Sequence, residues 1–373
     1  MKSRVAIVYP FIPHYRKPVF CELEKTGGKF DYVFFADKNS VDKSIKSTAD
    51  GHGFVFRKAS VFHWKGLLWQ VGLFKVCAGS EFSNFIFLGN PYYISTWFYA
   101  GLARLFGKRV FFWTHGWLAK DKLLKRVLRN LFYRIPHGLM LYGDRAKSIG
   151  VEYGFPERSL HVIYNSLDYP AQCRVRFGLD ALANPRSALP ENLQNFPEYF
   201  ACIARLTEEC RFDLAIDALA ILNKTEGKRI PLVLIGEGSA RELLERHANE
   251  KNVELLFLGA IYDEEIIGPV IYNARIVVSP GKVGLTAMHA LAYGTPVVTH
   301  SEFALQGPEV ESIVDRVTGS VFHRGNVLEL AFSMSYWVNR ERSSAERNAC
   351  IDEIENKYTP KRQVELISAA LSS

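Results

Sequence analysis

The sequence has no Cys-x-x-Cys pair; its six cysteines (Cys21, Cys77, Cys173, Cys202, Cys210, Cys350) are scattered. That spacing excludes a legible zinc or dithiol redox motif and fits free thiols in a reducing compartment. A long uninterrupted apolar run is also missing. The best membrane-span candidate, 85–103, is divided by Gly89-Asn90-Pro91 and Ser95-Thr96 into a strand, a turn and a helix start. The apolar run behind the basic opening residues covers only 5–9 before Pro10. It reads as a buried strand instead of a leader, and the chain as cytoplasmic. Glycine (27) and proline (16) are near average, which excludes collagen-like and low-complexity chains. There is no Asp-x-Asp element of the kind that holds a divalent metal, and no helix-turn-helix, zinc or RNA-recognition signature.

What is present is an ordinary globular balance: 373 residues, 48% hydrophobic and 13% aromatic. That is enough chain for two domains, each with its own core. Charge is distributed unevenly. Through Tyr169 there are 25 Lys/Arg against 12 Asp/Glu, a balance of +13; the remainder has 21 against 27, or −6. A polyanionic surface or ligand is expected to face the first half.

Short β-rich runs at 5–9, 32–35, 85–88, 110–113, 139–141 and 161–163 alternate with helical patterns at 18–25, 66–78, 92–106 and 119–135. The polar stretch 170–197 shows no sustained period and reads as a linker. Strands then recur at 200–204, 232–235, 253–258, 276–279 and 297–299, separated by helices and followed by three closing helical patterns. The expected fold class is α/β, with two doubly wound parallel sheets, one in 1–169 and one in 198–356. The last helix, about 357–373, is expected to return to the first domain. Tandem domains of this kind bind ligands at the carboxyl ends of their strands.

The segment Val277-Val278-Ser279-Pro280-Gly281-Lys282-Val283-Gly284-Leu285-Thr286 carries the most chemistry. A strand runs through a glycine-bearing loop into a one-sided helix that ends at Gly294 and Pro296. The amides of Gly284, Leu285 and Thr286 would form a helix N-terminus suited to phosphate oxygens. By contrast Gly236-x-Gly238 lacks a third glycine, since position 241 is Arg, so it is a weak dinucleotide fingerprint and reads as a strand–turn–helix loop.

Read with Cys202-Ile203-Ala204-Arg205-Leu206-Thr207, Leu234-Ile235-Gly236-Glu237-Gly238, Phe257-Leu258-Gly259-Ala260-Ile261, Gly294-Thr295-Pro296-Val297-Val298 and Val162-Ile163-Tyr164-Asn165-Ser166-Leu167-Asp168, this segment resembles the family 4 glycosyltransferases. The resemblance implies the GT-B fold, two Rossmann-like domains facing each other across a cleft. It also implies retaining transfer of a sugar from a UDP- or GDP-sugar to a glycan or polyprenyl-linked glycan in bacterial surface-polysaccharide assembly, with no cofactor or metal. Arg205 matches the family's diphosphate-binding arginine. The lysine expected five positions later is Cys210, and its diphosphate-binding role is carried to Arg211 beside it. Ala260, Ile261 and Lys282 fall on the donor side by the same resemblance.

The family's two glutamates, eight positions apart, fall on Gly281 and His289. The phosphate-binding parts remain, so an altered donor site is expected, with Gly281 making room for the donor and His289 contacting ribose or phosphate. In the first half, His115 follows a strand and matches a histidine that the family keeps near the donor sugar; it and Arg205 are the catalytic candidates. The turn carrying His14, Tyr15 and Arg16, together with Asn90 and Trp117, is assigned to the acceptor. No pattern supplies a protein nucleophile, which favours front-face displacement with the leaving phosphate as proton acceptor.

Finally, 119–135 reads as an amphipathic helix. Its stripe (Leu123, Leu124, Val127, Leu128, Leu131, Phe132, Ile135) is expected to pack on the sheet, and its basic face to meet an anionic leaflet as a peripheral membrane contact. Three rival readings are an epimerase of the same architecture, a catalytically inactive sugar-nucleotide-binding subunit, and a nucleic-acid binder, the last without a supporting motif.

Overall fold

Runs such as Phe85-Ile86-Phe87 and Val110-Phe111-Phe112-Trp113 place apolar side chains on both faces of a strand. Such strands are stable only in a parallel sheet covered on both sides. The computed structural model of the chain describes residues 2–25, 28–38, 54, 56–119 and 122–373. It divides into two units, Met1–Asp168 with Thr359–Ser373, and Tyr169–Tyr358.

The strands of the first unit are β1 (Ser3–Phe11), β2 (Phe30–Asp37), β3 (Phe56–Lys58), β4 (Val61–Trp64), β5 (Leu67–Gln70), β6 (Asn84–Leu88), β7 (Arg109–Thr114), β8 (Gly138–Leu141) and β9 (Leu160–Val162). Seven form a parallel sheet ordered β3-β2-β1-β6-β7-β8-β9, while β4 and β5 make a separate antiparallel hairpin. One face of the sheet buries Ala6, Val8, Phe85, Phe87, Val110 and Phe112, the other Val5, Ile7, Ile86, Phe111 and Trp113. The helix Pro360–Ser372 lays Val364, Ile367, Ala370 and Leu371 into the second of these cores. Its fully buried Gln363 accepts from the Ser166 hydroxyl at 2.7 Å and donates to the Tyr164 carbonyl.

Two expectations for this unit are corrected. The helix expected over 66–78 is the strand β5 followed by a short helix, Phe74–Ala78. Lys65 and Gly66 both take positive φ (44° and 82°), which is the two-residue turn that closes a hairpin and sets Leu67–Gln70 against Val61–Trp64. The basic helix runs over Leu123–Tyr133, and residues 120 and 121 of the expected span lie outside the described residues. Its leucine stripe does not pack on the sheet: Leu123 is 67% exposed, Leu124 84% and Leu128 54%.

In the second unit β10 (Phe200–Ile203), β11 (Leu232–Ile235), β12 (Leu255–Gly259), β13 (Ile276–Ser279), β14 (Val297–His300) and β15 (Gly319–Phe322) form a parallel sheet ordered β12-β11-β10-β13-β14-β15. The stretch expected as a linker, 170–197, is mostly regular and belongs to this unit. It contains the helix Tyr169–Asp180, a 3-10 turn at Pro185–Ala188 capped by Asn184, and the helix Glu191–Gln194. The period is masked because the buried face of the first helix includes Gln172 and Arg176 beside Val175 and Leu179. Among the described residues no helix is long and apolar enough to cross a membrane.

Candidate functional site

In the second unit the strand order reverses between β10 and β13. Such a reversal leaves a crevice at the carboxyl ends of the two strands. The loop after β13 feeds the helix Leu285–Ala292, with Gly284 at its N-cap, and a Cβ built on Gly284 would meet nothing within 4 Å. The first amides of a helix have no carbonyl of their own turn to bond, and the positive end of the helix dipole lies beside them. The Thr286 hydroxyl donates to the Ile203 carbonyl at 3.0 Å, tying the helix start to the end of β10.

A buried glutamine holds the loop in shape. The Gln306 side-chain carbonyl accepts from the Val283 N–H at 2.6 Å, and its amide donates to Thr299 Oγ1 (3.0 Å) and the His300 carbonyl (3.1 Å). The other end of the same helix is held by cations. Arg176 donates to the Ala292 carbonyl and Arg347 to the Tyr293 carbonyl, each at 2.6 Å, and Arg342 reaches Thr295 Oγ1 at 3.1 Å. Burial, then the charges of Arg347 and Arg275, push the Arg342 guanidinium down to about 9, which still leaves it protonated at neutral pH. Cations at a helix C-terminus contribute from about 0.3 to about 2 kcal/mol each. None of these four residues carries a sequence signal, because the contacts join positions far apart in the chain.

Three glycines bring the loops together. A Cβ on Gly236 would lie 1.9 Å from the Ala204 carbonyl oxygen, one on Gly238 2.1 Å from that of Leu206, and one on Gly281 2.1 Å from that of Glu209. Hydrogen bonds complete the interlock: Leu206 N–H to Glu237 O (3.0 Å) and Gly281 N–H to Cys210 O (3.1 Å). The segment 204–210 is therefore clamped between the loops after β11 and β13, and the exposed Arg205 side chain projects from a fixed backbone. This corrects the expectation for Gly281. The space beside it does not await a donor; the Glu209–Cys210 main chain fills it.

Arg211 adopts φ 51° at the N-cap of the helix Phe212–Glu226, and its guanidinium grips Asp213 with both Nε (3.1 Å) and Nη2 (2.9 Å). The Asp213 hydrogen bonds raise the pKa of Arg211 and balance its charge, so the second arm of the expected diphosphate clamp is already engaged. Lys282 and Ala260 are exposed and Ile261 half-buried. His289 turns toward a carboxylate on the helix Glu264–Asn273: its Nε2 lies 2.8 Å from Glu264 Oε1, and the Tyr293 hydroxyl donates to the same oxygen at 2.7 Å. Burial raises the Glu264 carboxyl, but the hydrogen bond and charge of His289, with Tyr293, outweigh it and hold the group below its ordinary range.

The strand order of the first unit reverses between β1 and β6. The turn after β1 carries His14, Tyr15 and Arg16, and Asn90 follows β6. His14 is exposed and Tyr15 half-buried, but Arg16 is only 4% exposed. Its guanidinium donates to Asn165 Oδ1 (2.7 Å) and the Tyr142 hydroxyl (2.5 Å) and lies over the Trp113 and Tyr142 rings at 5.2 and 4.9 Å. The acceptor-side expectation for Arg16 is corrected: it is the centre of an aromatic cage under the turn. Trp117 is corrected likewise. It is fully buried, donates to Asn130 Oδ1 at 3.0 Å and packs on Tyr133 and Phe155. Asn90 accepts from the Tyr92 N–H in a local turn, and the exposed His115 at the end of β7 has its ring 4.7 Å from that of Tyr142. Of the partners of Arg16, Asn165 entered the sequence reading only within the segment 162–168 and without a role, and Tyr142 did not enter it.

Residues 188–357 match the family model described as Glycosyl transferases group 1. No curated protein matches the sequence. Among solved structures, HepE of Anabaena in complex with UDP is 15% identical, covers 100% of both chains and superposes with a TM-score of 0.73. A lipopolysaccharide outer core galactosyltransferase, WaaB, is 17% identical over 99% of both chains with a TM-score of 0.67. A proposed UDP-N-acetylglucosamine 2-epimerase from Listeria monocytogenes is 14% identical over 100% of this chain and 96% of its own, with a TM-score of 0.62. The chain has the GT-B fold, two Rossmann-like parallel-sheet units. The match to the group 1 glycosyltransferase model lies within its second unit, and with these neighbours it supports glycosyl transfer.

Proposed function

We propose that the chain moves a sugar, with retention of anomeric configuration, from a nucleoside diphosphate sugar to a glycan or polyprenyl-linked glycan in the assembly of a bacterial surface polysaccharide. In this reading it works in the cytoplasm, at the inner face of the membrane. The observation that carries the reading is the open helix N-terminus at Gly284, Leu285 and Thr286, beside the clamped loop that projects Arg205. An anionic diphosphate meets there the two kinds of donor that stabilise a leaving phosphate, backbone amides and a guanidinium. UDP is the first nucleotide to test, because HepE was solved with UDP, UDP with glucose, and UDP-glucose.

The chemistry follows from where charge develops. As the glycosidic bond to the diphosphate breaks, negative charge grows on the phosphate oxygens, and the amides and Arg205 stabilise it more than they stabilise the intact donor. The departing phosphate then accepts the proton of the acceptor hydroxyl, which attacks from the same face. His115 at the end of β7 is assigned to the sugar-bearing side, and the turn at His14 and Tyr15, with Asn90, to the acceptor.

The test is a thermal-shift and calorimetric panel of UDP, GDP and their sugars, followed by UDP release with and without glycan acceptors. A ligand at 100 times its dissociation constant stabilises by about 2.7 kcal/mol. Stabilisation by one nucleotide and acceptor-dependent release support the proposal. Because a solved neighbour is a proposed epimerase, turnover without acceptor is the outcome that replaces transfer by epimerisation. Binding without either reaction marks an inactive sugar-nucleotide-binding subunit.

A further inference from the structure

We propose that the helix Leu123–Tyr133 docks the first unit on an anionic lipid surface, its leucine stripe entering the boundary between headgroups and acyl chains. The helix is built inside out. Its inward side holds Phe132 and Tyr133, both buried, and Asn130, whose carbonyl accepts from Trp117; Arg126 lies over the Tyr153 ring and Arg134 over that of Phe155. The aliphatic side, from Leu123 through Leu131, turns away from the core. A surface helix of an ordinary globular unit shows the reverse arrangement.

The segment 122–134 carries Lys122, Lys125, Arg126, Arg129 and Arg134 and no Asp or Glu. Cations flanking an apolar stripe are the composition of a helix lying in a membrane interface. The neighbouring helix Ile94–Leu105 is bound alongside, Trp97 packing on Phe132 with ring centroids 4.8 Å apart and Arg104 donating to the Ile135 carbonyl at 2.6 Å. It also exposes Phe98 and Leu105.

The charge pattern selects the occupant. In a two-fold pairing of copies through this helix the same patch meets itself. The cations beside the stripe would then meet their own copies, and the segment 122–134 carries no Asp or Glu to pair with them across the axis. A leaflet rich in acidic phospholipid supplies both the apolar phase and the counter-charge. This deepens the peripheral reading above by naming the surface, and it stands apart from the donor site.

The test is flotation of the full chain with phosphatidylcholine vesicles, with and without phosphatidylglycerol, at low and high salt. The parent chain is expected to bind the anionic vesicles preferentially, with weaker binding at high salt. Leu124→Ser with Leu128→Ser is expected to lower that binding about tenfold or more while leaving the melting temperature and UDP binding unchanged. Lys122→Gln with Lys125→Gln should abolish the preference for anionic lipid. Absence of binding to anionic vesicles overturns the proposal, as does binding unchanged by the leucine substitutions. A lipid-free dimer that those substitutions dissociate would assign the stripe to a second copy instead. Loss of UDP binding in the parent chain would strike the donor site and leave this result standing.

Discussion

The two units follow one architectural rule and use it for opposite ends. Each is a parallel sheet whose order reverses once, and each gathers loops at the reversal. In the second unit the gathering is done by backbone: Gly236, Gly238 and Gly281 let three loops touch main chain to main chain, and the cation that follows the first strand, Arg205, is exposed. In the first unit the gathering is done by aromatic side chains, and the cation at the matching place, Arg16, is buried among Trp113, Tyr142 and Asn165. Identical topology therefore does not assign a role to a basic residue after the first strand. The outward guanidinium can meet a phosphate, whereas the caged one supports a turn. The same contrast runs through the helices. The second unit anchors its site helix at the C-terminus with Arg176 and Arg347, while the first turns a leucine stripe outward.

The largest expected effect tests the outward cation. Arg205→Ala should lower turnover roughly a hundred- to a thousandfold, the scale of losing one donor to a charge that develops in the transition state. Unchanged turnover in a folded variant would erase the difference between the two arginines. Next, Gly281→Ala should weaken UDP binding and cost about 1–3 kcal/mol of stability, because the added carbon meets the Glu209 carbonyl and forces the loops apart. Thermal melting with and without UDP measures both effects; a variant as stable as the parent would show that the interlock is loose.

Arg16→Met should also cost about 1–3 kcal/mol, since it removes the charged hydrogen bonds to the Tyr142 hydroxyl and to Asn165 Oδ1. In contrast to Arg205→Ala, it should leave UDP affinity unchanged in calorimetry, and a loss of affinity would contradict the structural role of the cage.

The smallest effect concerns pH. The folded Glu264 carboxyl sits below its ordinary value of 4.5, so its pairing stabilises the protein above that pH and the contribution fades as pH falls through the folded value. Glu264→Gln should lower the melting temperature slightly at neutral pH and flatten its fall below about pH 4.5, so that variant and parent converge in acid. An unchanged acid limb would remove the Glu264–His289–Tyr293 cluster from the account.

Much of this was legible because it is local. The buried strands announced themselves as consecutive apolar runs, and the order strand, glycine loop, helix at 277–294 pointed to the helix N-terminus. Where reading failed, a local pattern had two physical solutions. Leu67-Leu68-Trp69-Gln70 suits a strand or a helix until the Lys65–Gly66 turn pairs it with Val61–Trp64. The helix Tyr169–Asp180 was hidden because Arg176 sits on its buried face, satisfied by a carbonyl more than a hundred residues away. Gly281 looked like room for a ligand because a missing side chain is equally consistent with a cavity and with a backbone contact.

The sequence alone therefore determined the fold class, the strand, glycine loop and helix at 277–294 and the uneven charge between the halves. All three depend on residue type and near-neighbour spacing. Only the tertiary structure decided which arginine is outward, which glycine is packed and which side of Leu123–Tyr133 faces solvent. Each of those depends on what another segment places against it. An apolar stripe or a guanidinium is the same in sequence whether it is buried or exposed, and the difference lies entirely in the distant residues that do or do not arrive to cover it.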